Sequence, residues 1–195
     1  MIKTKEDLKR YLNQDKLALK IHNKKRPRTF GDEIWKFQIL LRKYEYYANS
    51  KKTTKLLNAP SYIITKFRFK RLSMKLGFSI PLNVFEEGLS IAHYGTIVVN
   101  SKAKVGKNCR LQEGVNIGAT NGSPNAPIIG NNVFIGTGAK IIGDITIADD
   151  VAIGANAVVV KSIEEAGVTY GGVPAKKISN NNSHSNLSPY LFKNN

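Results

Sequence analysis

One cysteine, one tryptophan and three histidines in 195 residues leave little material for several kinds of chemistry. The lone Cys109 cannot close an intrachain disulfide, which suits a reducing compartment. No stretch approaches the roughly 18 uninterrupted apolar residues of a membrane span, so the sequence predicts no transmembrane helix. The N-terminal stretch "MIKTKEDLKRYLNQDKLALK" is charged throughout and lacks an apolar core, so it does not read as a secretory signal. These features together predict a cytoplasmic protein. Acid is scarce as well: 30 Lys and Arg stand against 14 Asp and Glu, a net charge of +16. The imbalance is local. Residues 1–75 hold 21 basic and 6 acidic side chains, and residues 76–195 hold 9 and 8. A strongly basic segment is therefore followed by a nearly neutral one, a signal about partners.

The basic segment reads as helical. Thr4 with Asp7 three positions on resembles a capping box. Ile34, Phe37, Leu41 and Tyr44 recur at helical spacing after Asp32. A third helix is expected over "PSYIITKFRFKRLSMKLG", with Pro60 in its first turn, Gly77 at its end, and Ile63, Phe67 and Met74 near one face. No nucleic-acid motif accompanies these basic helices. The expected partner is an anionic membrane or glycan surface, with a solvated helical collar as the other reading.

From residue 80 the grammar changes to a period of six. Stepping from Val99 gives Val105, Leu111, Ile117, Ser123, Ile129, Ile135, Ile141, Ile147, Ile153 and Val159, all Val, Leu or Ile except Ser123. Small residues follow many of them, among them Gly106, Gly118, Gly136 and Gly154. Neither a helix of period 3.6 nor a strand of period 2 produces this ladder. Three short strands joined by three tight turns do, each face sending one aliphatic inward. The pattern is that of a parallel β-helix, with about four stacked coils over residues 93–164. "NGSPNAP", residues 121–127, breaks the count with turn residues and is expected to bulge out in place of a face. The expected organisation is a basic α-helical region at 1–78, the β-helix at 79–179, and a polar tail at 180–195 whose "NNNSHSN" reads as mobile.

Four motifs in order carry a resemblance: "GLSIAHYGTIVVN", "EGVNIGATNG", "IGNNVFIGTGAKIIGDITIADDVAIGANAVVV" and "GGVPAKKI". Together they resemble the hexapeptide-repeat acyltransferases, in the serine acetyltransferase-like branch and near its O-acetyltransferases of capsule and other surface polysaccharides. The resemblance covers about half of the chain. It implies a mainly β fold, a left-handed parallel β-helix, with acetyl-CoA as acyl donor, no metal, and a homotrimer with its clefts between subunits. It puts His93 in the place of the general base that deprotonates the acceptor hydroxyl. Glu113, one coil on, is the candidate for its orienting carboxylate, with Glu86 and Glu87 as others. Gly136, Thr137, Gly154 and Ala155 match turns that line the cofactor cleft, and Lys176 matches a basic position near the nucleotide phosphates, Lys177 being the substitute. The Arg–His pair that helps serine acetyltransferases hold serine is missing: "SPNAPIIG" has Asn125 and Ala126 there. The expectation is therefore an O-acetyltransferase of a capsular or other surface saccharide, polymeric or lipid-linked, drawn to the inner face of the membrane. Serine O-acetylation is the alternative, and a non-catalytic scaffold or a metal site is the third reading. Hexapeptide carbonic anhydrases need three histidine ligands around zinc. Here His22 and His184 lie in the helices and the tail, far along the chain from His93.

Overall fold

A computed structural model describes residues 1–51, 57–120 and 122–192. Among the described residues three helices of more than one turn lead the chain: α1 (Lys5–Ala18), α2 (Glu33–Asn49) and α3 (Ala59–Leu76). The start of α1 is the expected capping box: the Thr4 hydroxyl accepts from the Asp7 amide, and the Asp7 carboxylate accepts from that of Thr4. In α2, Phe37 and Leu41 are fully buried and Ile34 packs beside them. Asp32 precedes α2 in a left-handed conformation and gives its amides no side-chain cap. Its carboxylate instead takes Lys24 and Arg28, and these hydrogen bonds hold it well below the usual carboxylate range. The third helix has Pro60 in its first turn and stops at Gly77, whose φ of 77° suits glycine. Its inner face is Thr65, Phe69, Leu72 and Leu76. The stripe of Ile63, Phe67 and Met74 points the other way, into solvent.

Among the described residues fourteen short strands follow, and twelve of them wind the coils of a three-sided prism. One face stacks β1 (Phe78–Ser79), β3 (Ile97–Val99), β6 (Asn116–Gly118), β9 (Lys140–Ile142) and β12 (Val158–Val159). A second stacks β4 (Lys104–Val105), β7 (Ile128–Ile129) and β10 (Thr146–Ile147). The third stacks β2 (Ser90–Ile91), β5 (Arg110–Leu111), β8 (Phe134–Ile135) and β11 (Ala152–Ile153), then β13 (Thr169–Gly171) and β14 (Lys176–Ser179). All pairings are parallel except that of β13 with β14. The six-residue ladder is the core: Leu111, Ile117, Ile135, Ile141 and Ile153 are all fully buried. Each such side chain contributes about 1.5–3 kcal/mol on burial.

Two departures from the regular coil are visible in the strand register. Strands β7, β8 and β9 pair with partners three hexads on, for example Phe134 with Ala152 and Lys140 with Val158. Between the preceding coils, Lys104 pairs with Ile128 and Arg110 with Phe134, each four hexads on. The coil holding residues 119–127 thus carries one whole additional hexad. This corrects the expectation that the loop takes the place of a face: all three faces are present, and the loop leaves the corner between β6 and β7. Asn121 lies outside the described residues. The second departure is smaller. Val98 pairs with Asn116, three hexads on, whereas Ile91 pairs with Leu111, two positions beyond that spacing. The additional pair of positions therefore lies in the turn 92–97.

Both ends of the prism are covered. At the first coil, buried polar side chains of the helices satisfy an open strand edge. Gln38 donates to the Leu89 carbonyl at 2.7 Å and accepts from the Ile91 amide at 3.3 Å. Asp15 accepts from the amides of Gly88 and Leu89, both at 2.9 Å. Arg42 donates to the carbonyls of Phe85 and Glu86 and pairs with Asp15 and Glu45. The helices and the prism consequently share one continuous apolar core. At the other end β14 turns back antiparallel on β13. The segment after it is docked, which corrects the expectation of a mobile tail. Ser183 and Leu187 are buried, His184 meets Asp150 at 2.7 Å, and Ser188 donates to the Leu17 carbonyl of α1 at 2.7 Å.

Candidate active site

The lengthened turn is the one that carries His93. Being longer than the turns stacked beneath it, it leaves the prism surface and returns at Ile97. His93 and Tyr94 are both exposed, while Ile91 and Ile97 on either side are buried. The turn is braced from two directions. The Gly95 amide donates to the Leu76 carbonyl at the end of α3 at 3.0 Å, and the Thr96 carbonyl accepts from the Gly114 amide at 2.8 Å. Gly95 has φ +139°, and a Cβ there would stand 3.0 Å from the Cβ of Glu113. Only glycine lets the histidine turn lie this close to the coil below. The His93 ring makes no hydrogen bond or ion pair among the described residues.

Glu113 occupies the same corner one coil on. Its Oε2 is buried and has no hydrogen-bond partner, the one such side-chain atom found among the described residues. A buried acceptor left unpaired is costly, so this oxygen marks a place where a donor belongs. The column continues through the next two coils. The Gly138 amide donates to the Glu113 carbonyl at 2.8 Å, and the Asn156 amide to the Thr137 carbonyl at 2.7 Å. The corner between the β2 face and the β3 face therefore stacks His93, Glu113, Gly136–Thr137 and Gly154–Ala155 at the strand spacing of about 4.8 Å. Ala155 is exposed and Gly154 half-buried, so these positions put little side chain on the outer part of this edge. A Cβ on Gly136 would come within 2.8 Å of the Ala155 amide, which explains the glycine by packing between coils.

Two neighbours in this column were not singled out from the sequence. Gln112 accepts from the Thr137 hydroxyl at 2.7 Å and fixes it to the coil above. Lys140 donates to the Gly114 carbonyl across the corner. Neither carries a sequence signal, since both sit at outward positions where the repeat accepts any residue. Gly95 did carry one: a glycine two places after a histidine interrupts an aliphatic run.

The remaining candidates separate. Lys176 is exposed on β14 and has no ion-pair partner among the described residues, whereas Lys177 is held by Glu165 at 2.6 Å. Glu87 pairs with Arg10 at 2.6 Å and Lys107 at 3.1 Å, so it is committed elsewhere. Glu86 is exposed beside the α1–prism cleft, next to Phe85 and Lys104. Cys109 is buried in the ladder, and burial pushes its thiol up, which leaves it a packing residue. In the extra hexad, Asn125 donates to Asp144 at 2.8 Å and Ala126 is buried. That loop leaves a different corner of the same prism from the one that bears His93.

The family described as bacterial transferase hexapeptide (six repeats) matches residues 126–161. A serine acetyltransferase of Mycobacterium tuberculosis is 40% identical over 90 residues, covering 45% of this chain and 39% of that protein. One of Helicobacter pylori is 38% identical over 94 residues, covering 47% and 54%. The chain thus spans about half the length of the curated relatives it matches. The crystal structure of serine acetyltransferase in complex with coenzyme A from Brucella abortus superposes with a TM-score of 0.67 at 27% identity, covering 91% of this chain and 70% of that one. The fold is accordingly the hexapeptide-repeat left-handed β-helix of serine acetyltransferases, with an N-terminal helical region. The expectation of a capsular or surface-polysaccharide acceptor is overturned: these relatives are named for serine, at up to 40% identity, and the likeness favours the alternative.

Proposed function

We propose that the chain is an acetyl-CoA-dependent serine O-acetyltransferase with His93 as general base. The observation that carries this reading is the corner column: an exposed histidine on a turn lengthened by two residues, stacked on a carboxylate with an unpaired oxygen and above two turns of small residues. A serine hydroxyl is a weak nucleophile at neutral pH. The His93 imidazole takes its proton as the oxygen attacks the thioester carbonyl. The tetrahedral adduct then collapses, the carbon–sulfur bond breaks, and the imidazolium returns the proton to the departing CoA sulfur. No acyl-enzyme is needed. Glu113 orients the imidazole and stabilises its charged form through the oxygen that now lacks a donor.

Gly136, Thr137, Gly154 and Ala155 let the extended pantetheine arm lie along the corner, and the free Lys176 ammonium meets the nucleotide phosphates as a point charge. His93 is exposed on a single chain, so a second wall is required to exclude water. A neighbouring subunit of a homotrimer supplies it. The missing Arg–His pair means that other groups hold the serine carboxylate and amine.

The test is release of free thiol from acetyl-CoA with and without L-serine. Serine-dependent release is expected, reduced about 10²–10⁴-fold in His93→Ala. Release that ignores serine removes the acceptor from the proposal. Undiminished turnover in the variant removes the base.

A further inference from the structure

We infer that the outward face of α3 is a docking surface for an anionic lipid bilayer. The face is laid out for it. Ile63, Phe67 and Met74 are 63%, 67% and 69% exposed, although they follow one another at helical spacing as a buried stripe would. At about 100° per residue they form a single line opposite the face that Thr65, Phe69, Leu72 and Leu76 turn to the protein. The same spacing puts Lys66 and Lys70 along one side of the line and Arg71 and Lys75 along the other. The helix, APSYIITKFRFKRLSMKL, contains these four cations, Arg68, and no acid. None of the five has an ion-pair partner among the described residues.

An apolar stripe flanked by lysine and arginine is how a helix lies in a bilayer interface. The apolar side chains enter the acyl boundary, and the long cationic ones reach out to the headgroups. No helix among the described residues is long and apolar enough to cross a membrane, so the contact is peripheral. A copy related by a two-fold axis is the poorer occupant, because it would bring an equally cationic, acid-free face against this one. The surface is independent of acetyl transfer, since α3 contributes to the His93 turn only through the Leu76 carbonyl at its inner end.

The experiment is sedimentation of the full chain with vesicles of phosphatidylcholine alone and of phosphatidylcholine containing phosphatidylglycerol. Binding is expected on the anionic vesicles only, and it should weaken as salt is added. Lys70→Gln with Arg71→Gln should lower the partition coefficient about 25-fold, at about fivefold per cation. Phe67→Asn should lower it about tenfold through lost apolar burial, with circular dichroism and gel-filtration volume unchanged. Equal binding to both vesicles, or to neither, overturns the inference. So does either variant binding as the parent does. A Phe67→Asn protein that elutes as a smaller oligomer also overturns it, and identifies the face as a contact between copies.

Discussion

Glu113 and Gly95 show how much depends on single positions at the histidine turn. The absence of a side chain on Gly95 is what admits the Glu113 side chain beneath the turn, since a Cβ on Gly95 would stand only 3.0 Å from that of Glu113. Glu113→Gln removes the charge that would stabilise the imidazolium formed as the acceptor proton is taken, and keeps the shape. If Glu113 serves His93, kcat should fall about tenfold with the KM values for serine and acetyl-CoA little changed. Steady-state kinetics decides this, because a side chain that only supports the turn would move KM and thermal stability together with kcat. The histidine could be found from sequence because its neighbours form a motif. Its orienting partner could be reached only by counting coils, and Gln112 and Lys140 could not be reached at all. Outward positions of a hexapeptide repeat have no compositional rule, so nothing marks the ones that matter.

At the scale of elements, the six-residue ladder made the prism legible almost completely, and its two irregularities were legible to different degrees. The shorter lengthening breaks phase, so it shows as a slip between Phe85–Leu89 and the later ladder. The structure puts the added positions in the turn of His93 itself. The extra hexad is different. A whole added hexad keeps every later aliphatic in step, and a count in sixes cannot tell a hexad that forms a face from one that leaves the prism. The register resolves it, since Lys104 meets Ile128 across four hexads while Ile128 meets Thr146 across three. Deletion of residues 120–125 should therefore restore an ordinary coil. Ala119, Ala126 and Pro127 would then join β6 to β7, as Gly143, Asp144 and Ile145 join β9 to β10. The expected outcome is an unchanged circular dichroism spectrum and a thermal midpoint near that of the parent. Loss of the cooperative transition would show that the loop is a structural part of the coil. The reversed face of α3 belongs here too. Periodicity finds an apolar stripe and cannot say which of two faces turns inward, and here Phe69 and Leu72 won that contest.

Across the whole molecule, Arg42 is the residue on which the helices and the prism meet. It is fully buried, and its guanidinium reaches Asp15 of α1 at 2.8 Å, Glu45 of α2 at 3.0 Å, and the carbonyls of Phe85 and Glu86 ahead of β2. Its two carboxylates outweigh burial and raise its already high pKa further, so it is charged at every working pH. Arg42→Ala leaves Asp15 and Glu45 buried without their cation and should cost about 3–5 kcal/mol. Chemical denaturation would measure it, and a change below about 1 kcal/mol would mean that the network is incidental. No sequence pattern announced this residue, because a basic segment rich in lysine and arginine hides the one that is interior.

The two capped ends have a consequence for how copies of the chain can assemble. A parallel solenoid exposes at each end a row of unpaired amides and carbonyls, an open template for adding strands without limit. Here Gln38, Asp15 and Arg42 occupy the first edge with side-chain groups, and β14 occupies the last by running backwards with Lys176 and Lys177 on it. End-to-end growth into a fibre is closed off in both directions. What remains open is the flank of the prism, the side on which the proposed neighbour of each His93 corner would stand.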